Sequence, residues 1–252
     1  MEKALEVKDL CKTYITNKRQ NNILKNVNFE INKGEMVAVM GPSGSGKSTL
    51  LYSVSGMDKP TAGEVKIAGK EITNLSEKEL SDVRLRHMGF IFQQMHMLKN
   101  LSIIDNIVLP GYQASKTADR PKVDEYGREL MNKLGIADIA ENDVTEVSGG
   151  QLQRACICRS LINNPDIVFA DEPTGALNRS SSEDVMEQLV KLNSDGTTIM
   201  LVTHDMKVAA KCGRIMYIVD GNIKGELEMP KELTDIKDRQ RKVNNWLNEM
   251  GW

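Results

Sequence analysis

The sequence predicts an α/β protein built on a parallel sheet, with a β-rich N-terminal part and a helical segment inserted into the core. From residue 167 to residue 227 short apolar strands alternate with helical stretches, the pattern of parallel strands joined by crossover helices. Residues 1–40 show strand-like runs with no helical stretch between them, and residues 98–163 are helical in pattern between two strand-rich parts. At 252 residues the chain favours a single domain with room for a large core.

The elements follow in order. Strands are expected at 4–10, 27–31 and 36–40, with Lys33-Gly34 as the turn between the last two. A Gly/Ser loop follows residue 40, then a helix over 47–55 and strands over 64–67 and 88–92. Helices are expected at 104–109 and at 119–134, the latter amphipathic through Val123, Leu130, Met131 and Leu134, and a third should begin near Gly150 and stop before Pro165. Strands at 167–170, 197–202 and 215–219 then alternate with helices at 181–192 and 206–211, and a Gly221-Asn222 turn leads to a last strand at 223–227. Beyond Pro230, Leu233, Ile236, Val243, Trp246, Leu247 and Met250 recur near helical spacing, which makes 230–252 a helical tail. That tail should dock on its own domain or a sister chain; a partner-binding helix is the alternative.

Composition excludes several classes of function. Hydrophobic residues are 40%, charged residues 27% and the net charge is -2, so neither disorder nor a polyanion-binding surface is indicated. No apolar run is longer than that at 36–40, far short of the roughly 18 residues of a membrane span. The N-terminal stretch MEKALEVKDL does not read as a signal peptide, so the cytosol is expected. Cys11, Cys156, Cys158 and Cys212 form no CxxC pair and lack a histidine at zinc spacing; they read as reduced packing residues. His87 and His96 likewise have no metal-ligand company and read as surface or loop residues.

The strongest local signal is Gly41-Pro42-Ser43-Gly44-Ser45-Gly46-Lys47-Ser48, a GxxxxGKS loop after an apolar strand and before a helix. Such a loop aims backbone N–H groups and a helix N-terminus at phosphate oxygens. Lys47 should reach the β- and γ-phosphates and Ser48 should coordinate magnesium. The loop alone leaves kinases, GTPases and motor-type ATPases open. Ile167-Val168-Phe169-Ala170-Asp171-Glu172 then supplies a strand ending in two carboxylates, Asp171 for the magnesium and Glu172 to polarise an attacking water. Val147-Ser148-Gly149-Gly150-Gln151 places a serine and two glycines ahead of another helix, a second anion-binding start.

With these motifs in this order the sequence resembles the ATP-binding cassette (ABC) family over residues 4–228. The Walker A loop spans 41–48, Gln93 in GFIFQQ matches the Q-loop, VSGGQ at 147–151 matches the LSGGQ signature, 167–171 with Glu172 matches Walker B, and His204 in VTHD matches the switch histidine. Tyr14 matches the aromatic residue that stacks on adenine. The resemblance implies a P-loop NTPase core with a parallel sheet, an N-terminal antiparallel β-subdomain and a helical subdomain at about 94–163, the ABC ATPase domain being 1–229. It also implies ATP and Mg2+, with Tyr14, residues 41–48, Thr49, Ser148, Gly149, Gly150 and Gln151 on the nucleotide. Ser48, Gln93 and Asp171 would be on the metal, and Glu172, His204, Gln93 and Lys47 would be catalytic.

The partners it implies are a second copy or a paired ABC subunit in a head-to-tail sandwich, an integral membrane permease and, in the complex, a sensor kinase; no nucleic acid is expected. The location it implies is the cytoplasmic face of the cell membrane, as a peripheral subunit. The GPSGSGKSTLL, GFIFQQ and ADEPTGAL segments and 199–223 look like the branch serving macrolide-exporter and lipoprotein-release permeases, nearest to bacitracin-type ATPases that deal with peptide antibiotics. A lipoprotein-release or cell-division complex, a soluble cassette without a permease and a non-enzymatic binding module are the competing readings. The Met-rich 88–109 stretch, with Met88, Met95 and Met97, would belong to the groove for a permease coupling helix, or to ordinary core. The sequence departs from the family at Val147 for leucine, at Asn178 for the aspartate of the D-loop, and at Cys156 and Cys158 for small apolar residues. Asn178 puts an amide where a carboxylate is usual, which would alter communication between paired ATP sites.

Overall fold

In the computed structural model, which describes residues 2–16, 19–230 and 232–252, short runs of apolar residues assemble into the centre of a six-stranded sheet. Its strands are β3 (Met36–Met40), β6 (Met88–Phe92), β7 (Ile167–Asp171), β8 (Ile199–Val202), β9 (Arg214–Val219) and β10 (Asn222–Glu228). They lie in the order β10-β9-β3-β8-β7-β6, all parallel except the edge strand β10, which turns back on β9. Every residue of β3 is buried because the strand is covered on both faces, which is why it reads as a continuous apolar run rather than an alternation.

A four-stranded antiparallel sheet of order β2-β1-β4-β5 packs beside it, built from β1 (Lys3–Thr16), β2 (Arg19–Asn32), β4 (Ala62–Ile67) and β5 (Lys70–Glu71). The turn at Lys33-Gly34 therefore carries the chain from one sheet to the other. The start of β2, residues 19–22, is exposed and polar, so its strand character is invisible to hydrophobic patterning; Leu24, Val27, Phe29 and Ile31 are the residues that turn inward.

The two faces of the parallel sheet feed two cores. Val37, Val39, Phe169, Met200, Val202, Met216 and Ile218 pack with α1 (Lys47–Val54) and the antiparallel sheet. Ala38, Met40, Ile91, Ala170, Leu201 and Ile215 pack under α3 (Ile103–Ala114), α4 (Arg120–Lys133), α5 (Gly149–Leu161) and α6 (Arg179–Ser194). Helix α3 continues past the expected end at 109 through Pro110, whose carbonyl accepts a hydrogen bond from Asn163 Nδ2 at 3.2 Å. Helix α2 (Glu77–His87) falls where the sequence reading placed no helix. Its start is a capping box, with Ser76 accepting from the Glu79 backbone N–H and Glu79 accepting from that of Ser76. A one-turn helix α7 (Met206–Ala209) follows β8, and the tail forms α8 (Ile236–Glu249), which buries Val243 and Leu247 against the chain's own domain.

Gly89 on β6 makes a close approach between the sheet and α5: a Cβ there would sit 2.5 Å from the Ser160 carbonyl oxygen and 3.1 Å from Val168 Cγ2. Gly89→Ala should therefore destabilise the fold by about 1–3 kcal/mol, read as a lower Tm, because backbone rather than a flexible side chain must give way. An unchanged Tm would contradict this packing.

Candidate functional site

The parallel register decides which residues meet. Met88 of β6 pairs with Ile167 of β7, and Phe92 with Asp171; Asp171 in turn lies level with Val202 of β8, and β8 pairs with β3. The C-terminal ends of these strands thus release Gln93, Glu172, His204 and the loop at 41–46 along one edge of the sheet, the edge at which open α/β folds bind ligands.

The loop itself is shaped by glycine. A Cβ at Gly41 would lie 2.1 Å from the Ile218 carbonyl oxygen, and Gly46 holds φ at 103° as the N-cap of α1. Lys47 folds back so that its ammonium donates to the carbonyls of Gly41 at 2.8 Å and Pro42 at 2.9 Å. Burial lowers the Lys47 pKa while the carboxylates of Glu172 and Asp171 oppose that shift. The ammonium is thus a partly desolvated cation facing two anions at the mouth of a loop of backbone N–H groups.

Asp171 is held on both oxygens. Ser48 Oγ donates to Oδ1 at 3.1 Å and the Tyr52 hydroxyl donates to Oδ2 at 2.7 Å. Burial and this carboxylate push the Tyr52 phenol up to about 12, so it remains a donor. A serine hydroxyl and a carboxylate at one strand edge are hard oxygen ligands suited to Mg2+, which keeps several waters and takes few protein ligands. The donor set fits the metal. Tyr52 was not singled out by motif; its signal was the four-residue spacing from Ser48, which puts both on one face of α1.

Glu172 and His204 form the second pair. His204 Nδ1 lies 2.8 Å from Glu172 Oε1, with the His204 side chain 69% exposed and that of Glu172 only 17%. Glu172 adopts φ 46°, a left-handed conformation unfavourable for a residue with a side chain, and its N–H donates to the Val202 carbonyl at 3.0 Å. The backbone is therefore bent at the residue whose carboxylate is aimed at the edge.

Gln93 lies on the same edge, packed against Gly175, where a Cβ would be 3.0 Å from its Nε2. Tyr14 stands on β1 of the antiparallel sheet, 40% exposed. Its hydroxyl donates to Asp58, and that bond together with burial raises its pKa. Lys12, buried on Asp58 and the Lys59 carbonyl, places its ammonium 4.8 Å from the centre of that ring. Neither Lys12 nor Asp58 stands out in the sequence, because β1 and the 56–61 loop meet only in three dimensions.

Ser148, Gly149, Gly150 and Gln151 are placed elsewhere. Ser148 Oγ accepts from the Gln151 N–H at 3.3 Å, and Gln151 Oε1 accepts from the Ser148 N–H at 3.0 Å, so the pair caps α5 within the chain. Helix α5 packs on α3, α4, α6 and β6, whereas α1 packs on β1, β2, β7 and β8. The neighbours of the glycines are Leu177 and Ser181, around Asn178, whose amide oxygen caps α6 by accepting from Ser181 N at 3.0 Å. The chain thus presents two helix starts of anion-binding type on different helices of the core.

The remaining cues resolve by packing. His87 Nδ1 lies 2.8 Å from Asp166 Oδ2 and His96 sits in a loop at φ 47°. Cys156, Cys158 and Cys212 are buried, and burial pushes the thiols of Cys156 and Cys212 up to about 11 and about 12. A cavity of about 370 Å³ opens beside β6, lined by Met57, Leu85, Met88, Phe90, Phe92 and Arg159 among others. Met88 lines it, Met97 packs against the core beneath the helices, and the Met95 carbonyl accepts from Arg159 at 2.7 Å. Among the described residues no helix is long and apolar enough to cross a membrane.

Comparison with known proteins agrees with this geometry. The sequence model of the family described as ABC transporter matches residues 24–175. The bacitracin export ATP-binding protein BceA of Halalkalibacterium halodurans is 42% identical over 229 residues, 90% of each chain. The macrolide export ATP-binding/permease protein MacB of Shewanella sp. is 39% identical over 248 residues, 98% of this chain but only 38% of that one. Among solved structures, the dimeric post-hydrolysis ATP-binding cassette MJ0796 bound to ADP and Pi superposes with a TM-score of 0.80 at 38% identity, covering 90% of this chain and 99% of that one. The cassette cbiO1 of Clostridium perfringens gives a TM-score of 0.81 at 26% identity over 100% of this chain and 98% of that one.

The role of Tyr52 is open to direct measurement. Tyr52→Phe removes one of the two donors that fix Asp171 and should weaken Mg2+-dependent nucleotide binding by about tenfold or more, in the range of lost outer-shell partners of metal ligands. Calorimetric titration with and without Mg2+ reads this, and an unchanged Mg2+ contribution would remove Tyr52 from the site.

Proposed function

The chain belongs to the ABC transporter family as an ATP-hydrolysing ATP-binding domain, and from that premise we propose that two such domains close head to tail around ATP to drive an integral membrane permease. The observation that carries the proposal is the separation of the two helix starts. The loop before α1 holds a cation but faces open solvent, and the Ser148–Gly150 start of α5 is bonded only to its own cap. Each is half of an anion site, and a second subunit supplies the other half.

In this reading the N–H groups of the 41–46 loop and Lys47 receive the β- and γ-phosphates, while Tyr14 stacks on the adenine beside Thr49. Ser48, Asp171 and Gln93 hold Mg2+, which when bound neutralises charge on the phosphate oxygens. Glu172 orients and polarises the attacking water, its carboxylate fixed by the bent backbone and by His204. The His204 ring, tethered on Nδ1, turns its other nitrogen toward the γ-phosphate. Ser148, Gly149, Gly150 and Gln151 close over the partner's triphosphate.

The cavity beside β6 is the docking place for the permease, adjoining Gln93 so that the state of the site is felt there. Likeness to BceA favours a permease handling peptide antibiotics, in resistance, sensing or export, with a sensor kinase in the assembly at the inner face of the membrane. A permease of the macrolide-export kind is the second reading, since the likeness to MacB is nearly as strong.

Glu172→Gln keeps the shape of the side chain and removes its basicity. Turnover should fall by about 100-fold or more while ATP binding persists. In saturating ATP and Mg2+ this variant should elute from a sizing column at twice the mass of the chain. A variant that stays monomeric under those conditions would sink the sandwich.

A further inference from the structure

We propose that Arg239 of the C-terminal helix α8 is a positioning residue for His204, acting through α7; the inference rests on the catalytic reading of His204 given above. The path is short. His204 precedes α7, whose single turn is capped by Asp205: the Asp205 carboxylate accepts from the Lys207 N–H at 2.7 Å, and the Asp205 N–H donates to Thr203 Oγ1 at 3.0 Å. The far end of α7 is held by a different part of the chain. Arg239 Nε donates to the Ala210 carbonyl at 2.6 Å and Nη2 donates to the Cys212 carbonyl at 2.6 Å, with Nη1 reaching Leu233 O at 3.4 Å.

A guanidinium is planar and its donors have fixed directions, so two bonds to two carbonyls set the orientation of the segment as well as its distance. Half-burial lowers the Arg239 pKa, so the carbonyls replace hydration the cation has given up. Helix α8 is itself a firm base. Val243 and Leu247 are fully buried, and the Trp246 ring meets Tyr217 of β9 edge-on at 6.2 Å. A cavity of about 480 Å³ runs between α8 and the site, with Ile236 and Gln240 on one wall and Glu172, His204 and Lys207 on the other. The His204 ring is mostly exposed and bonds to Glu172, so its place is set by the backbone that carries it.

The chain has three histidines, which makes His204 observable without labelling strategies specific to one residue. In the nucleotide-free chain at a single pH, Arg239→Lys and Arg239→Ala should move the ring NMR signal of His204 and leave those of His87 and His96 in place. Arg239→Lys retains the charge and fold while losing the fork, so it carries the test should Arg239→Ala not fold. In steady-state hydrolysis both variants should lower kcat by roughly 5- to 10-fold with KM for ATP within about twofold of the parent, the split expected when only a transition-state contact is lost. In a His204→Ala background the Arg239 substitutions should have no further effect, as for residues that act as one unit. Unmoved histidine signals, or an undiminished kcat loss without His204, would overturn the proposal. A parent chain that hydrolyses no ATP would instead remove the function reading, while the nucleotide-free signals still decide the link from Arg239 to His204.

Discussion

The alignment of four parallel strand ends is the constraint on which the site depends. Because Phe92, Asp171 and Val202 lie level in the pairing of β6, β7 and β8, the residues that leave those strands emerge side by side. A one-residue slip of β7 would turn Asp171 to the opposite face of the sheet and away from Ser48 and Tyr52. The register is protected by complete burial: both faces of β3, β7 and β8 are packed, so a slip would misplace apolar side chains on two cores at once.

On that frame the electrostatics are those of a site awaiting a polyanion. Lys47 and the loop N–H groups are positive and Asp171 and Glu172 negative; Lys47 and Asp171 are held by bonds to neutral groups, and Glu172 by His204. The carboxylates lower the cost of keeping Lys47 charged despite its burial, and Glu172 tethers His204 at the price of a left-handed backbone. The chain's own Ser148 is occupied in the cap of α5, accepting from the Gln151 N–H.

Much of this was legible in the sequence. Apolar runs announced the buried parallel strands, the phosphate loop and the acidic strand end were read from motif, and Gln93 and His204 came from the family resemblance. What escaped did so for physical reasons. The exposed start of β2, residues 19–22, carries no apolar alternation, and α2 has a charged, weakly amphipathic sequence whose only signal is its Ser76–Glu79 box. Lys12 and Asp58 lie 46 residues apart and meet beneath Tyr14 only when β1 folds against the 56–61 loop. Arg239 reads as one charge among many in the tail, and its meaning depends on two carbonyls 29 and 27 residues away. Asn178, flagged for its missing charge, acts as the cap of α6 in the isolated chain, a task an amide performs as well as a carboxylate.

The central claim is that neither anion site works alone, and complementation between two defective chains tests it most directly. Lys47→Ala disables the loop half and Ser148→Arg the signature half, so each should be inactive by itself. Mixed in equal amounts, they would form hybrid dimers with one intact composite site, and hydrolysis should recover to about a quarter of the unaltered level if dimers form at random and sites act independently. A mixture no more active than its components would contradict the account.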